Sequence, residues 1–206
     1  MKTIVLTLND PCWLEEALSL IQAGGLVAFP TDTVYGLGTS AFNSEAVEKI
    51  YVAKDRPVEK SIPVLLGTIA DLDKVSINVP SSVFSLAEHF WPGPLTIILP
   101  RHPDIPDIIS SLPTIGVRIP DHPVAEMLLR AAGPMAVTSA NISGDQNPHT
   151  ASDVFDQLNG RIDMIIDGGG TGSGPASTVV DCTKEKPEIL RQGTITMAQI
   201  LKVLDQ

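Results

Sequence analysis

The sequence predicts an α/β fold, a single-domain, twisted, open mixed sheet with helices packed on it. Three observations carry that prediction: short apolar runs of strand length recur along the chain, helical patterns separate most of them, and some connections are too short for a crossover helix. With 206 residues, 43% of them hydrophobic and 18% charged, the chain is long enough for one domain, residues 1–206, to bury a core without disulfide or metal staples.

Taken in order, residues 3–8 read as a strand, and Asp10-Pro11 supply a capping side chain and a first-turn proline for a helix that Gly24-Gly25 stops. Residues 26–29 form a buried strand leading into Pro30-Thr31-Asp32-Thr33-Val34-Tyr35-Gly36-Leu37-Gly38. Asn43-Ser44 cap a helix whose Val47, Ile50 and Tyr51 follow helical spacing, and Lys54 and Arg56 fall where it ends. Further strands are expected at residues 62–66, 95–99, 115–119, 135–138, 164–166 and 178–180, with the clearest helices at 81–90, 123–132, 151–158 and 197–204. Neither an internal repeat nor an interdomain linker is visible.

Composition narrows the function. A formal net charge of −10 argues against a protein that coats nucleic acid, because that affinity comes from Lys and Arg neutralising phosphates. An acidic protein that binds a polyanion must gather its basic residues in a cleft, and Lys54, Arg56, Arg118 and Arg191 are the candidates. The first residues are too short an apolar stretch for a signal peptide, and no apolar run reaches spanning length, so a cytoplasmic protein without membrane contact is expected. Cys12 and Cys182 are too few for a disulfide framework and are read as reduced thiols.

Several strands end in bursts of small polar residues: Thr31-Asp32-Thr33, Thr138-Ser139-Ala140-Asn141-Ile142-Ser143-Gly144 and Asp167-Gly168-Gly169-Gly170. Taken singly, each is also the composition of a turn. Ligands in open α/β sheets sit beyond the carboxyl ends of strands, so together the bursts mark one pocket. The run Gly168 to Gly174 lacks both the Walker and the Rossmann spacing and reads as a loop beside the site, with closure over a nucleotide as a hypothesis. Lys54 and Arg56 could equally complement a helix C-terminus. Arg118 lies inside the apolar strand Ile115-Gly116-Val117-Arg118-Ile119, where a charge needs an edge, a partner or an anionic ligand.

Other chemistries lack support. His89, His102, His122 and His149 show no paired ligand spacing, so no metal-binding residues are assigned. No GxSxG elbow surrounds Ser139, and Cys12 has no evident histidine partner. The reaction is expected to rest on positioning and charge neutralisation.

Six strings in series, PTDTVYGLG (30–38), KDRP (54–57), WPGPLT (91–96), VRIP (117–120), TSAN followed by SG (138–144) and STVVD (177–181), closely resemble the YrdC-like family in identity and order. The resemblance covers nearly the whole chain and is to the short, single-domain branch. It implies formation of threonylcarbamoyl-adenylate from L-threonine, bicarbonate or CO2, and ATP, with release of pyrophosphate. Threonylcarbamoyl-transferase proteins would then pass the group to tRNA; direct tRNA binding is left open.

By resemblance, Lys54, Arg56, Ser139 and Asn141 form the catalytic set and, with Arg191, contact ATP; Thr31, Tyr35, Arg118 and Ser177 line the threonine end. Mg²⁺ is expected with the ATP. Many relatives carry a histidine shortly after KxRP, where this chain reads Ile62-Pro63-Val64-Leu65-Leu66. The alternative is a divergent YrdC-like paralogue that binds RNA or nucleotide without this activity.

Overall fold

The structure, a computed structural model, describes residues 2–172, 176–184 and 186–205. Its strands are β1 (Ile4–Thr7), β2 (Val27–Pro30), β3 (Tyr35–Ser40), β4 (Val64–Leu65), β5 (Leu95–Pro100), β6 (Thr114–Arg118), β7 (Met135–Ser139), β8 (Met164–Asp167), β9 (Thr178–Asp181) and β10 (Glu188–Arg191). The helices are α1 (Trp13–Gln22), α2 (Ser44–Ala53), the short α3 (Leu72–Val75), α4 (Ser81–Phe90), α5 (Pro123–Ala132), α6 (Ala151–Leu158) and α7 (Met197–Leu204).

All ten strands join one sheet in the order β1-β8-β2-β3-β7-β4-β6-β5-β9-β10. It is mixed, as expected: β2 pairs antiparallel with β3 but parallel with β8, and β5 antiparallel with β6 but parallel with β9. No helix among the described residues is long and apolar enough to cross a membrane.

Period-two alternation divides the sheet's side chains between two cores. Ala28, Leu37, Val64, Ile97, Val117, Ala136, Ile165 and Val180 belong to the larger core, which includes buried residues of α2, α4, α6 and α7. Val27, Phe29, Leu65, Met135, Val137, Met164 and Ile166 face the other way, into a smaller core with α1 and α5. Trp13, Ala17 and Ile21, spaced by four along α1, and Val124, Ala125, Leu128 and Leu129 of α5 supply its helical half. That second face is thus covered at its β1-β8-β2 end. Towards β6, β5, β9 and β10 it opens into a cavity.

Helix ends follow side-chain chemistry. Asn43 caps α2 by accepting from the Ala46 N–H, and Thr150 with Asp153 and Thr196 with Gln199 form capping boxes that start α6 and α7. Strand β10 and the short helix α3 are not among the expected elements, and three further details differ from expectation. The α1 helix begins at Trp13 behind Cys12, because the Asp10 carboxylate instead accepts from the Thr7 N–H at 2.7 Å and its hydroxyl at 3.0 Å. Strand β4 is only two residues long, and β3 is a full strand that glycines 36 and 38 hide from any apolar pattern.

Candidate active site

The cavity has a volume of about 390 Å³ and lies on the uncovered part of the second sheet face. Gly36 of β3, Leu65 of β4, Thr96 and Ile98 of β5, Gly116 and Arg118 of β6, Val137 and Ser139 of β7, and Val179 of β9 line it. Two glycines hollow it out. A Cβ on Gly36 would stand 2.7 Å from Val137 Cγ1, and one on Gly116 would stand 3.1 Å from Thr96 Cγ2.

Arg118 is the buried cation of this cavity, 7% exposed. Its Nε donates to Gly93 O at 3.0 Å, Nη1 to Thr33 Oγ1 at 3.3 Å, and Nη2 to the Asp32 carboxylate. Thr31, also buried, fixes the Asp32-Thr33 turn: its hydroxyl donates to Val34 O at 2.7 Å and accepts from the Thr33 and Val34 N–H groups. Burial pulls the Arg118 guanidinium below the ordinary arginine value; Asp32 opposes that shift and Arg191 adds to it.

Two more arginines line the same cavity. Arg191 sends Nε and Nη2 to Ser177 O at 3.1 and 2.9 Å and Nη2 to Ser177 Oγ at 3.0 Å, and that hydroxyl shares a hydrogen bond of 2.8 Å with Thr96. Arg56 donates to Lys60 O at 3.1 Å and Ser61 O at 2.9 Å. Burial lowers the pKa of both guanidiniums. Among the described residues the lining contains these three arginines and no carboxylate, in a protein of net charge −10.

Of the remaining sequence-derived candidates, Lys54, Asn141 and Tyr35 stand behind the cavity wall, which corrects their expected placement, and Ser139 lines it. Lys54 is 1% exposed and donates from Nζ to the main-chain carbonyls of Ser139 and Asn141. Burial first, then Arg56, pushes its pKa down to about 7. Asn141 donates from Nδ2 to Ile142 O and Asp145 O, both at 2.9 Å, while its buried Oδ1 finds no donor among the described residues. Neither side chain lines the cavity. Ser139 does, at the end of β7.

Tyr35 belongs to the larger core, on the opposite sheet face from its neighbour Gly36. Its hydroxyl donates to Gly169 O at 2.7 Å and accepts from the Gly168 N–H at 3.3 Å, and burial raises its pKa to about 12. It therefore anchors the start of the glycine-rich loop. Residues 173 and 174, which complete the expected lid, lie outside the described residues.

Among the described residues no three His, Cys, Asp or Glu side chains converge as a metal cage. The donors at hand suit anions.

A family model, Sua5/YciO/YrdC, described as telomere recombination, matches residues 19–193. The chain belongs to the Sua5/YciO/YrdC family. Threonylcarbamoyl-AMP synthase of Bacillus subtilis (strain 168) is 45% identical to it over 202 residues, 97% of this chain and 58% of that protein. The protein of the same name from Pyrococcus abyssi (strain GE5 / Orsay) is 41% identical over 192 residues, 92% of this chain and 56% of that protein. The chain thus spans a little over half the length of these two relatives.

In structure, this Sua5/YciO/YrdC chain is similar to P. abyssi Sua5 complexed with L-threonine, with a TM-score of 0.92, 39% identity, and coverage of 98% of this chain and 61% of that one. It is also similar to E. coli YciO, at a TM-score of 0.84 and 28% identity over 97% of this chain and 98% of that one.

Thr33 and Thr138, which the sequence placed in the bursts marking the pocket without assigning them a role, also line the cavity, and sequence reasoning missed Ser61, Thr96 and Asn147. Thr33, Thr96 and Thr138 lie within the recognised strings, and period-two counting from Arg118 and Gly116 would have aimed Thr96 at the same face through the β5–β6 pairing. Ser61 and Asn147 lie in loops and carried no such signal.

Proposed function

We propose that this chain is a threonylcarbamoyl-AMP synthase, making threonylcarbamoyl-adenylate and pyrophosphate from L-threonine, bicarbonate or CO2, and ATP. The observation that carries the reading is a cavity lined, among the described residues, by three arginines and no carboxylate in an acidic protein. The names of the relatives and the threonine complex of P. abyssi Sua5 support it.

The chemistry sets the roles. The threonine amine attacks CO2, or bicarbonate with loss of water, to give a carbamate. A carbamate oxygen then bonds to the α-phosphorus of ATP while the bond to the β-phosphate breaks and pyrophosphate leaves. Two anions must meet, so fixed cations aimed at their oxygens lower the barrier most. Arg56 and Arg191 take the ATP phosphates, and the Ser139 hydroxyl orients the reacting oxygens.

Arg118, held by Asp32, Thr33 and Gly93, takes the threonine carboxylate; the hydroxyls of Thr31, Thr33 and Ser177 bound that end. Lys54, Asn141 and Tyr35 act from behind, by shaping the TSAN turn and the glycine loop. Mg²⁺, entering on the phosphates, would neutralise charge there. The whole chain, 1–206, acts as one cytoplasmic YrdC-like domain that hands its product to threonylcarbamoyl-transferase proteins serving tRNA.

The test is pyrophosphate release from ATP and Mg²⁺, with L-threonine and bicarbonate added or withheld in turn, and serine and alanine as controls. Release that needs both compounds and favours threonine is expected. Release indifferent to either refutes the reading.

A further inference from the structure

The KxR segment owes its shape to a known way of ending a helix. Lys54 is the C-cap of α2, with φ −99° and ψ −2°, and the Asp55 φ of +49° places it in the left-handed region. The Arg56 N–H bonds back to Tyr51 O at 2.9 Å and the Asp55 N–H to Val52 O at 3.3 Å. This pair of bonds is a Schellman motif, whose left-handed position glycine fills best. Its reversal separates the two cations: Lys54 turns inward to the Ser139 and Asn141 carbonyls, and Arg56 goes to the cavity. A non-glycine residue held there carries a conformational cost.

One side chain offsets that cost. Arg161, in the turn after α6, donates from Nη1 to Asp55 Oδ2 at 2.7 Å and to Ala53 O at 3.3 Å. It thereby ties the carboxylate of the left-handed residue to a last-turn carbonyl of α2, across more than a hundred residues of sequence. Both partners are exposed, 43% for Arg161 and 64% for Asp55. Such a pair contributes little to global stability, so its consequence is local. We infer that Arg161 is a positioning residue, which acts through Asp55 to hold Lys54 and Arg56 in their divergent directions. The catalytic part of this inference rests on the proposed function; the clamp itself does not.

Glycine separates the clamp from a merely structural role, because it takes the left-handed conformation without help. Arg161→Ala is expected to speed exchange of the Arg56 and Ser143 amides about two- to fivefold. The first closes the motif, and the second bonds to Lys54 O at 2.8 Å. Threonine-dependent kcat should fall several-fold with little change in threonine KM. Adding Asp55→Gly to Arg161→Ala should restore both amides and kcat.

Unchanged amides in Arg161→Ala, a uniform rise across the whole protein, or a local rise that Asp55→Gly fails to correct would each overturn the clamp. Restored amides without restored kcat would overturn its catalytic part. If the wild-type protein releases no pyrophosphate, the proposed function fails, and amide exchange still decides the clamp.

Discussion

The Lys54 ammonium donates to the main-chain carbonyl of Asn141, 87 residues away, and with a second hydrogen bond to Ser139 O it closes the turn that follows β7. Lys54 is thus the internal strut of the site. Replacing it by methionine keeps the length but leaves two shielded carbonyls unpaired, at a cost of about 1–3 kcal/mol each. Lys54→Met is expected to lose pyrophosphate release at least tenfold, because the turn carrying Ser139 relaxes; wild-type turnover would remove the strut from the mechanism.

The same lysine gives a pH signature. Its folded pKa is depressed to about 7 from the ordinary lysine value of 10.5, chiefly by burial. Between those values the unfolded chain holds the proton that the folded chain has lost, so Lys54 makes stability rise with pH across that window. Urea midpoints of wild type and Lys54→Met, measured from pH 7 to 10, should show a less positive slope in the variant.

Buried Arg118 pairs with the partly buried Asp32 at the cavity. Arg118→Ala strands the carboxylate and should cost about 3–5 kcal/mol of stability. Arg118→Lys keeps the charge but loses the planar fork, and threonine KM should rise at least tenfold while ATP affinity changes little. An unchanged threonine KM in a folded Arg118→Lys protein would remove Arg118 from the carboxylate site.

Arg56 and Arg191 should act on ATP instead. Either residue changed to alanine is expected to weaken ATP binding about tenfold, read by titration calorimetry, and to flatten its salt dependence because a cation facing the phosphates is gone.

Gly36 keeps the cavity open by its lack of a side chain. Gly36→Ala would force its Cβ, 2.7 Å from Val137 Cγ1, against a branched side chain of the neighbouring strand. Overpacking of this kind costs about 1–3 kcal/mol, and the double variant Gly36→Ala/Val137→Ala should recover much of the lost thermal stability.

Helices were the most legible part of the sequence. The expected spans 81–90, 123–132, 151–158 and 197–204 coincide with α4, α5, α6 and α7, because proline or capping residues mark their starts and apolar spacing marks their inner faces. Strand β3 was hidden because its glycines, needed for the cavity, erase the apolar alternation. At Asp10 a local bond to Thr7 outcompetes the helix cap.

In the site, Arg118 stood out as a charge in an apolar strand, and the structure finds it buried with a carboxylate partner. Residue type alone could not show where Lys54 and Tyr35 point. Strand parity sends Tyr35 away from the cavity that Gly36 lines, and the left-handed turn at Asp55 sends Lys54 inward while Arg56 goes out. Such directions depend on one dihedral angle or one register step, which composition does not encode.

The most direct test of the central claim is the mass of the product formed from ATP, ¹³C-bicarbonate and ¹⁵N-L-threonine. An adenylate carrying both labels in one molecule is the expected result. An adenylate with the threonine label but no bicarbonate carbon, or AMP alone, would contradict threonylcarbamoyl-AMP synthesis by this chain.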